Sequence, residues 1–177
     1  MTQKRPQPGD YAAAYESYIA IVPSGDFLAL LEEQPRELLR RLEPLSEEQA
    51  GYRYAPEKWT IKEVVGHLSD AERILAYRLL RIARGDRTPL PSFEENAYVR
   101  TGNFASRKLT DLLGEFSTVR AATVRLVGSL DDASWLRRGV ANQNEISALA
   151  VAFVIAGHFR HHQLILEERY LPGLRRV

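Results

Sequence analysis

Three of the four histidines in this 177-residue chain fall within five positions, as His158, His161 and His162 in the stretch AGHFRHHQLILEERY. Imidazole titrates near neutral pH and is the commonest side-chain ligand for a divalent metal, so such a cluster raises the question of metal binding. Successive residues of an α-helix turn by about 100°, which leaves residues four apart pointing the same way. His158 and His162 therefore share a face with Val151, Ile155 and Ile165, and that face reads as the interior one. His161 lies on another side, with Val154, Gly157 and Glu168.

A structural or reactive metal site usually needs at least three protein ligands. The remaining histidine, His67, sits in VVGHLSDAE on an earlier helix whose inward stripe includes Val64, Ala71 and Ile74. A His-x3-His pair on a helix commonly binds nothing, and an inward histidine is commonly a core residue bonded to backbone or carboxylate. What favours a metal is the joint placement on two apolar faces that a helical bundle can bring together. Three neutral imidazoles would leave one coordination position open, where a bound water has its pKa lowered to about 7 and a bound thiol is deprotonated. The residues alone do not choose between hydrolysis and thiol transfer. Asp70 and Glu63, each one turn from His67, are candidates for a general base or for orienting a ligand, against the plainer reading of solvated helix carboxylates.

Competing motifs fit less well. A His-Glu-x-x-His zinc helix would carry glutamate where this chain has Phe159, and neither histidine helix shows the Glu-x-x-His spacing of a di-iron bundle. The chain contains no cysteine, which removes disulfides, thiolate ligands and a cysteine nucleophile together. Neither a P-loop nor a dinucleotide-binding glycine fingerprint is present.

The elements that must position these histidines are helical. Phe27, Leu30, Leu31, Leu38, Leu39 and Leu42 recur at helical spacing after Ser24 or Asp26 as a cap, with Pro35 as a point where the helix kinks or divides. Thr60 to Glu63, TIKE, reads as a capping box opening a second helix that ends near Gly85. Residues 85–107 read as a long ordered crossover with one helical turn around Glu94 to Val99. A third helix is expected from Lys108 to Leu130, then a polar connector, and a fourth from Glu145 to Arg169. The fold class is all-α, a four-helix bundle with a long crossover between helices two and three.

The length suits one domain, residues 1–177, with 1–18 as a peripheral N-terminal extension. Basic residues number 24 and acidic residues 23, so nothing calls for a nucleic acid partner. The apolar run Ile146 to Gly157 is shorter than the roughly 20 residues that span a bilayer. No apolar segment follows the basic N-terminus, and a cytoplasmic protein without a membrane partner is expected. Arg78, Arg81 and Arg84, at three-residue spacing, read as a solvated face paired with nearby acids, with contact to phosphates or to an acidic partner as the lesser reading. Tyr52, Tyr54, Trp59, Phe93 and Tyr98 read chiefly as packing residues, some of them candidates for a pocket mouth.

The stretches KWTIKEVVGHLSDAERILAYRLLRIARGD, LPSFEENAYV and AGHFRHHQLILEERYL resemble, in order and spacing, the DinB-like superfamily over about residues 19–172, nearest its YfiT-like branch. The resemblance implies a four-helix bundle in which His67, His158 and His162 bind one divalent metal, zinc or nickel, while His161 is not a ligand. It implies metal-dependent hydrolases using metal-bound hydroxide, or enzymes that transfer a low-molecular-weight thiol to an electrophilic small molecule, and it includes members with no known activity. Close relatives often carry an acidic residue where this chain has Phe159. Thiol transfer is the leading expectation, because no general base is evident beside the histidines; hydrolysis is the second, and a metal-binding stress-response protein that turns nothing over is the third. Related proteins are often homodimers, a contact for which the three arginines are candidates.

Overall fold

The computed structural model describes residues 4–174. Helix α1 (Glu16–Ala20) is followed by α2 (Phe27–Leu42), a short α3 (Glu47–Ala50) and the long α4 (Ile61–Ala83). The crossover carries α5 (Glu95–Thr101) and leads into α6 (Leu109–Gly128) and a short α7 (Asp132–Leu136). A two-stranded hairpin, β1 (Arg138–Ala141) and β2 (Asn144–Ser147), precedes α8 (Ala148–Ile165), which passes through a π-helical turn (Leu166–Tyr170) into α9 (Leu171–Leu174). The four long helices α2, α4, α6 and α8 form the bundle: α4 packs on both α6 and α8, and α2 closes the ring against the same two.

Local chemistry sets the helix starts. Thr60 Oγ1 accepts from the Glu63 N–H while the Glu63 carboxylate accepts from the Thr60 N–H at 2.7 Å, the reciprocal capping box expected of TIKE. Asp26 caps α2 by accepting from the Leu28 and Ala29 N–H groups. Pro35 lies inside a continuous α2 rather than dividing it. Proline cannot donate to the carbonyl four residues back, and the Leu31 carbonyl so released accepts instead from Arg120 of α6.

The fourth helix begins later than its sequence pattern suggests. Residues 138–147 form an antiparallel hairpin with Arg138 opposite Ser147 and Ala141 opposite Asn144. The turn residues Asn142 and Gln143 have φ of 51° and 62°, the two left-handed residues of a tight hairpin turn. Glu145 and Ile146 are thus strand residues, and Ser147 caps α8 through the Ala150 N–H. The crossover docks on this hairpin: the Leu90 N–H donates to the Val140 carbonyl at 2.9 Å and the Asn142 N–H donates to the Leu90 carbonyl at 3.0 Å.

Buried side chains form two clusters, one around Leu31, Leu79, Ile82 and Val151, the other around Leu38, Ile61, Leu68, Phe116 and Phe159. Each fully buried large apolar side chain contributes about 1.5–3 kcal/mol. A charged network also lies buried among the helices: the fully buried Arg120 donates to the two carboxylate oxygens of Glu72 at 2.5 and 2.6 Å and also bonds Gln34. Its guanidinium lies 5.3 Å from the ring centres of both Phe116 and Phe159. Gln34 in turn donates to the Ala156 carbonyl of α8, so the network ties α2, α4, α6 and α8 together.

The helical stretch Ala148–Leu174 is, among the described residues, the one long and apolar enough by length and composition to cross a membrane, but 67% of its apolar window is buried in the protein. It is the core helix of the bundle. The segment before α2 packs on the bundle as well: Arg5 donates to the Ile19 and Val22 carbonyls at 2.7 Å, and Tyr15 and Tyr18 rest on the core.

Candidate metal centre

His67 of α4 and His158 and His162 of α8 meet inside the bundle, with ligand-capable atoms all within 4.8 Å of one another. Their ring centres are 4.6–5.0 Å apart. His67 and His162 are buried, at 1% and 9% exposure, and His158 is half-buried. Each glycine before a first histidine lets a neighbour come close. A Cβ on Gly66 would overlap the Phe104 ring, and one on Gly157 would overlap the Tyr18 backbone carbonyl.

Nε2 of His67 lies 3.1 Å from Nε2 of His158. Burial pushes the His67 imidazole down to about 4 and, reinforced by the neighbouring rings, His158 to about 3. His162 is driven well below its ordinary value for the same reasons, burial first. All three rings are therefore neutral near pH 7, the state in which imidazole ligates a metal. Two nitrogens at about 2.0–2.1 Å from one tetrahedral ion are about 3.3 Å apart, close to the His67–His158 spacing. The donor set and its spacing fit a divalent metal.

The crossover supplies the carboxylate nearest this cluster. Glu94 caps α5 by accepting from the Asn96 and Ala97 N–H groups, which fixes the helix start and places Glu95 with Oε2 3.9 Å from Nε2 of His67. Glu95 was not singled out by its sequence spacing, because the contact depends on the docking of a long loop. The candidates Glu63 and Asp70 are engaged elsewhere. Glu63 closes the capping box and lies 3.9 Å from Arg53, and Asp70 pairs with Arg73 at 3.4 Å. Neither belongs to the group of converging ligand atoms.

Aromatic residues wall the histidines. Trp59 lies 4.7 Å from His67, ring centre to ring centre, and stacks near His162 at 6.3 Å. The Tyr170 hydroxyl holds the Trp59 carbonyl at 2.7 Å from the π-helical turn that ends α8. Tyr18 meets His158 and His161 edge-on, at 5.6 and 5.4 Å. His161 lies outside the converging set, as its helical position indicates. Phe159 faces the other way, stacked on Phe116 and Arg120.

Two cavities reach the histidine cluster, one lined by His162 and the other by His158, with Glu95 in both. One of about 270 Å³ is lined by Trp59, Tyr54, Glu95, His162 and Tyr170. The other, about 150 Å³, is lined by Tyr18, Arg78, Phe93, Glu95 and His158. A larger cavity of about 320 Å³ beside Arg5, Phe27 and Phe153 contains no histidine. Arg78 departs from the solvated face expected of it: it is buried, whereas Arg81 pairs with Asp86 and Arg84 is exposed.

Comparison with solved structures finds the same architecture. YfiT from Bacillus subtilis, described as a probable metal-dependent hydrolase with an unusual four-helix bundle topology, superimposes with a TM-score of 0.73 at 21% identity, covering 80% of this chain and 82% of that one. A mycothiol-dependent maleylpyruvate isomerase superimposes with a TM-score of 0.66 at 15% identity, covering 82% of this chain and 61% of that one. No curated protein of similar sequence was found. The model of the DinB superfamily matches residues 30–166, which take in most of α2 and all of α4, α6 and α8, and the chain belongs to that superfamily.

Proposed function

We propose that His67, His158 and His162 hold one divalent metal, zinc or nickel, and that the protein is an enzyme transferring a low-molecular-weight thiol to a small electrophile. The carrying observation is that three neutral imidazoles converge, with His162 lining one cavity and His158 a second, and Glu95 lining both, an arrangement suited to two small reactants. A divalent ion held by His67, His158 and His162 would lower the pKa of a water or thiol bound to it. Glu95, present in both cavities, accepts the proton that the nucleophile gives up. Trp59 and Tyr54 wall one cavity and Tyr18 the other, apolar surfaces on which the carbon frame of a small reactant can rest. As the sulfur–carbon bond forms, the leaving group departs with its electron pair, and the proton on Glu95 is available to it.

Glu95 also favours a second reading, hydrolysis, since a carboxylate so placed serves equally to take a proton from water. The known structure of similar fold that is described as mycothiol-dependent supports the thiol reading, and the one described as a probable hydrolase supports the other. Purified protein incubated with a thiol panel and a generic electrophile, and separately with ester and amide substrates, distinguishes them. Thiol consumption that requires the electrophile and stops on chelation is expected. Turnover confined to esters or amides contradicts thiol transfer, and metal-dependent turnover with neither panel contradicts both.

A further inference from the structure

Arg78 is the chemical anomaly beside this site. The side chain is buried, at 6% exposure, on the face of α4 that looks toward the crossover. A guanidinium carries five N–H donors, yet the bond found for Arg78 among the described residues is a single one, to the Pro91 carbonyl at 2.5 Å. Arg120, the other deeply buried arginine, has the bidentate Glu72 carboxylate. Arg78 has no carboxylate in salt-bridge range among the described residues, and burial pulls its pKa below the ordinary value. A buried cation without a counter-charge is costly.

The placement indicates what completes it. Arg78 lines the cavity of about 150 Å³ that reaches His158, together with Tyr15, Ser92 and Asn142. It also lines a neighbouring, mainly apolar cavity of about 280 Å³ under Phe93 and Tyr98. The crossover segment that roofs both cavities is fixed by the Leu90 pairing to the hairpin and by the Arg78 bond to Pro91, so the guanidinium is held in place before any ligand arrives. Planar, bidentate recognition of a carboxylate is what a fixed guanidinium does best.

We infer that Arg78 is a substrate-binding residue that receives the carboxylate of a small carboxylate-bearing reactant, whose opposite end then faces His158 and Glu95. The small cavity restricts this reactant to a short carbon chain, and Tyr15, Ser92 and Asn142 offer hydrogen bonds to the second carboxylate oxygen or to a neighbouring hydroxyl. The inference rests on the proposed function for the reactive end only, since recognition at Arg78 needs no metal.

The test therefore uses chelator-treated protein and reads binding by calorimetry with butyrate, butyramide and ethyl phosphate as probes. Butyrate is expected to bind at least tenfold more tightly than butyramide. Arg78→Gln is expected to weaken butyrate on the order of ten- to a hundredfold while leaving butyramide unchanged. Arg78→Lys, which keeps the charge and supports the fold if the glutamine variant does not, should retain part of the preference for butyrate. A purely structural role for Arg78 changes both probes alike and leaves their ratio intact. Equal binding of butyrate and butyramide, no binding of either, or an unchanged ratio in both variants overturns the inference. Ethyl phosphate binding more tightly than butyrate with the same dependence on Arg78 overturns the carboxylate assignment. Failure of the metal site leaves these results untouched, because it is read separately as metal content.

Discussion

Replacing Glu72 with alanine should destabilise the protein far more than replacing any surface carboxylate. Glu72 is 4% exposed and accepts two bonds, at 2.5 and 2.6 Å, from an Arg120 that is fully buried. Hydrogen bonds to charged groups contribute about 1.5–3 kcal/mol each, and breaking one partner of a buried ion pair costs about 3–5 kcal/mol. That is a fifth or more of a typical domain stability of about 5–15 kcal/mol, and corresponds to a fall in Tm on the order of 10 °C for a chain of this size. Glu115 is the control. It meets Arg73 and Arg107, each at 2.6 Å, but these arginines are 47% and 36% exposed, and solvent screening reduces each such pair to about 1 kcal/mol or less. Urea denaturation of wild type, Glu72→Ala and Glu115→Ala, with Glu72→Met/Arg120→Met as the double variant, reads the difference. The double variant should recover much of the loss, because the desolvated charge is removed along with its partner. A Glu72→Ala loss no larger than that of Glu115→Ala would show that the buried pair carries no more stability than the exposed one.

Gly157→Ala places a Cβ against the Tyr18 carbonyl and forces α1 away from α8. A loss of about 1–3 kcal/mol is expected by denaturation, and an unchanged midpoint contradicts it. In metal-free protein, His67 falls from its ordinary 6.5 to about 4, so between these values the unfolded chain binds more protons than the folded one. Stability therefore falls as pH drops from about 6.5 toward 4. His67→Gln should flatten the slope of denaturation midpoint against pH, and an identical slope opposes the assignment. Glu95→Gln should lower turnover on the order of a hundredfold or more while leaving metal content unchanged, because it removes a proton acceptor and no ligand. A kcat equal to wild type excludes Glu95 from proton transfer.

The helical frame was legible because its signals are local. The TIKE capping box, the Asp26 cap and the i, i+4 placement of His158 and His162 each depend on a few neighbouring residues. The β1–β2 hairpin was hidden because Gln143 occupies a left-handed turn position where glycine would announce it. Ile146 also merges by composition into the apolar run of α8. Glu95 and Arg78 acquire their positions from the crossover, which is held by pairing between Leu90 and residues about fifty positions later, and no spacing along the chain encodes that. For the arginines, a step of three residues turns the helix by about 300°, so Arg78, Arg81 and Arg84 fan out and only the first enters the core. The spacing that suggested one solvated face joins three different environments.

The three-histidine metal site is tested most directly by elemental analysis of protein purified without a histidine tag, for wild type and for the alanine variants of His67, His158, His161 and His162. About one divalent ion per chain is expected in wild type and in His161→Ala, and a sharp loss in each of the other three. Wild-type metal content in His67→Ala, or none in the wild-type protein after growth with zinc and nickel, contradicts it.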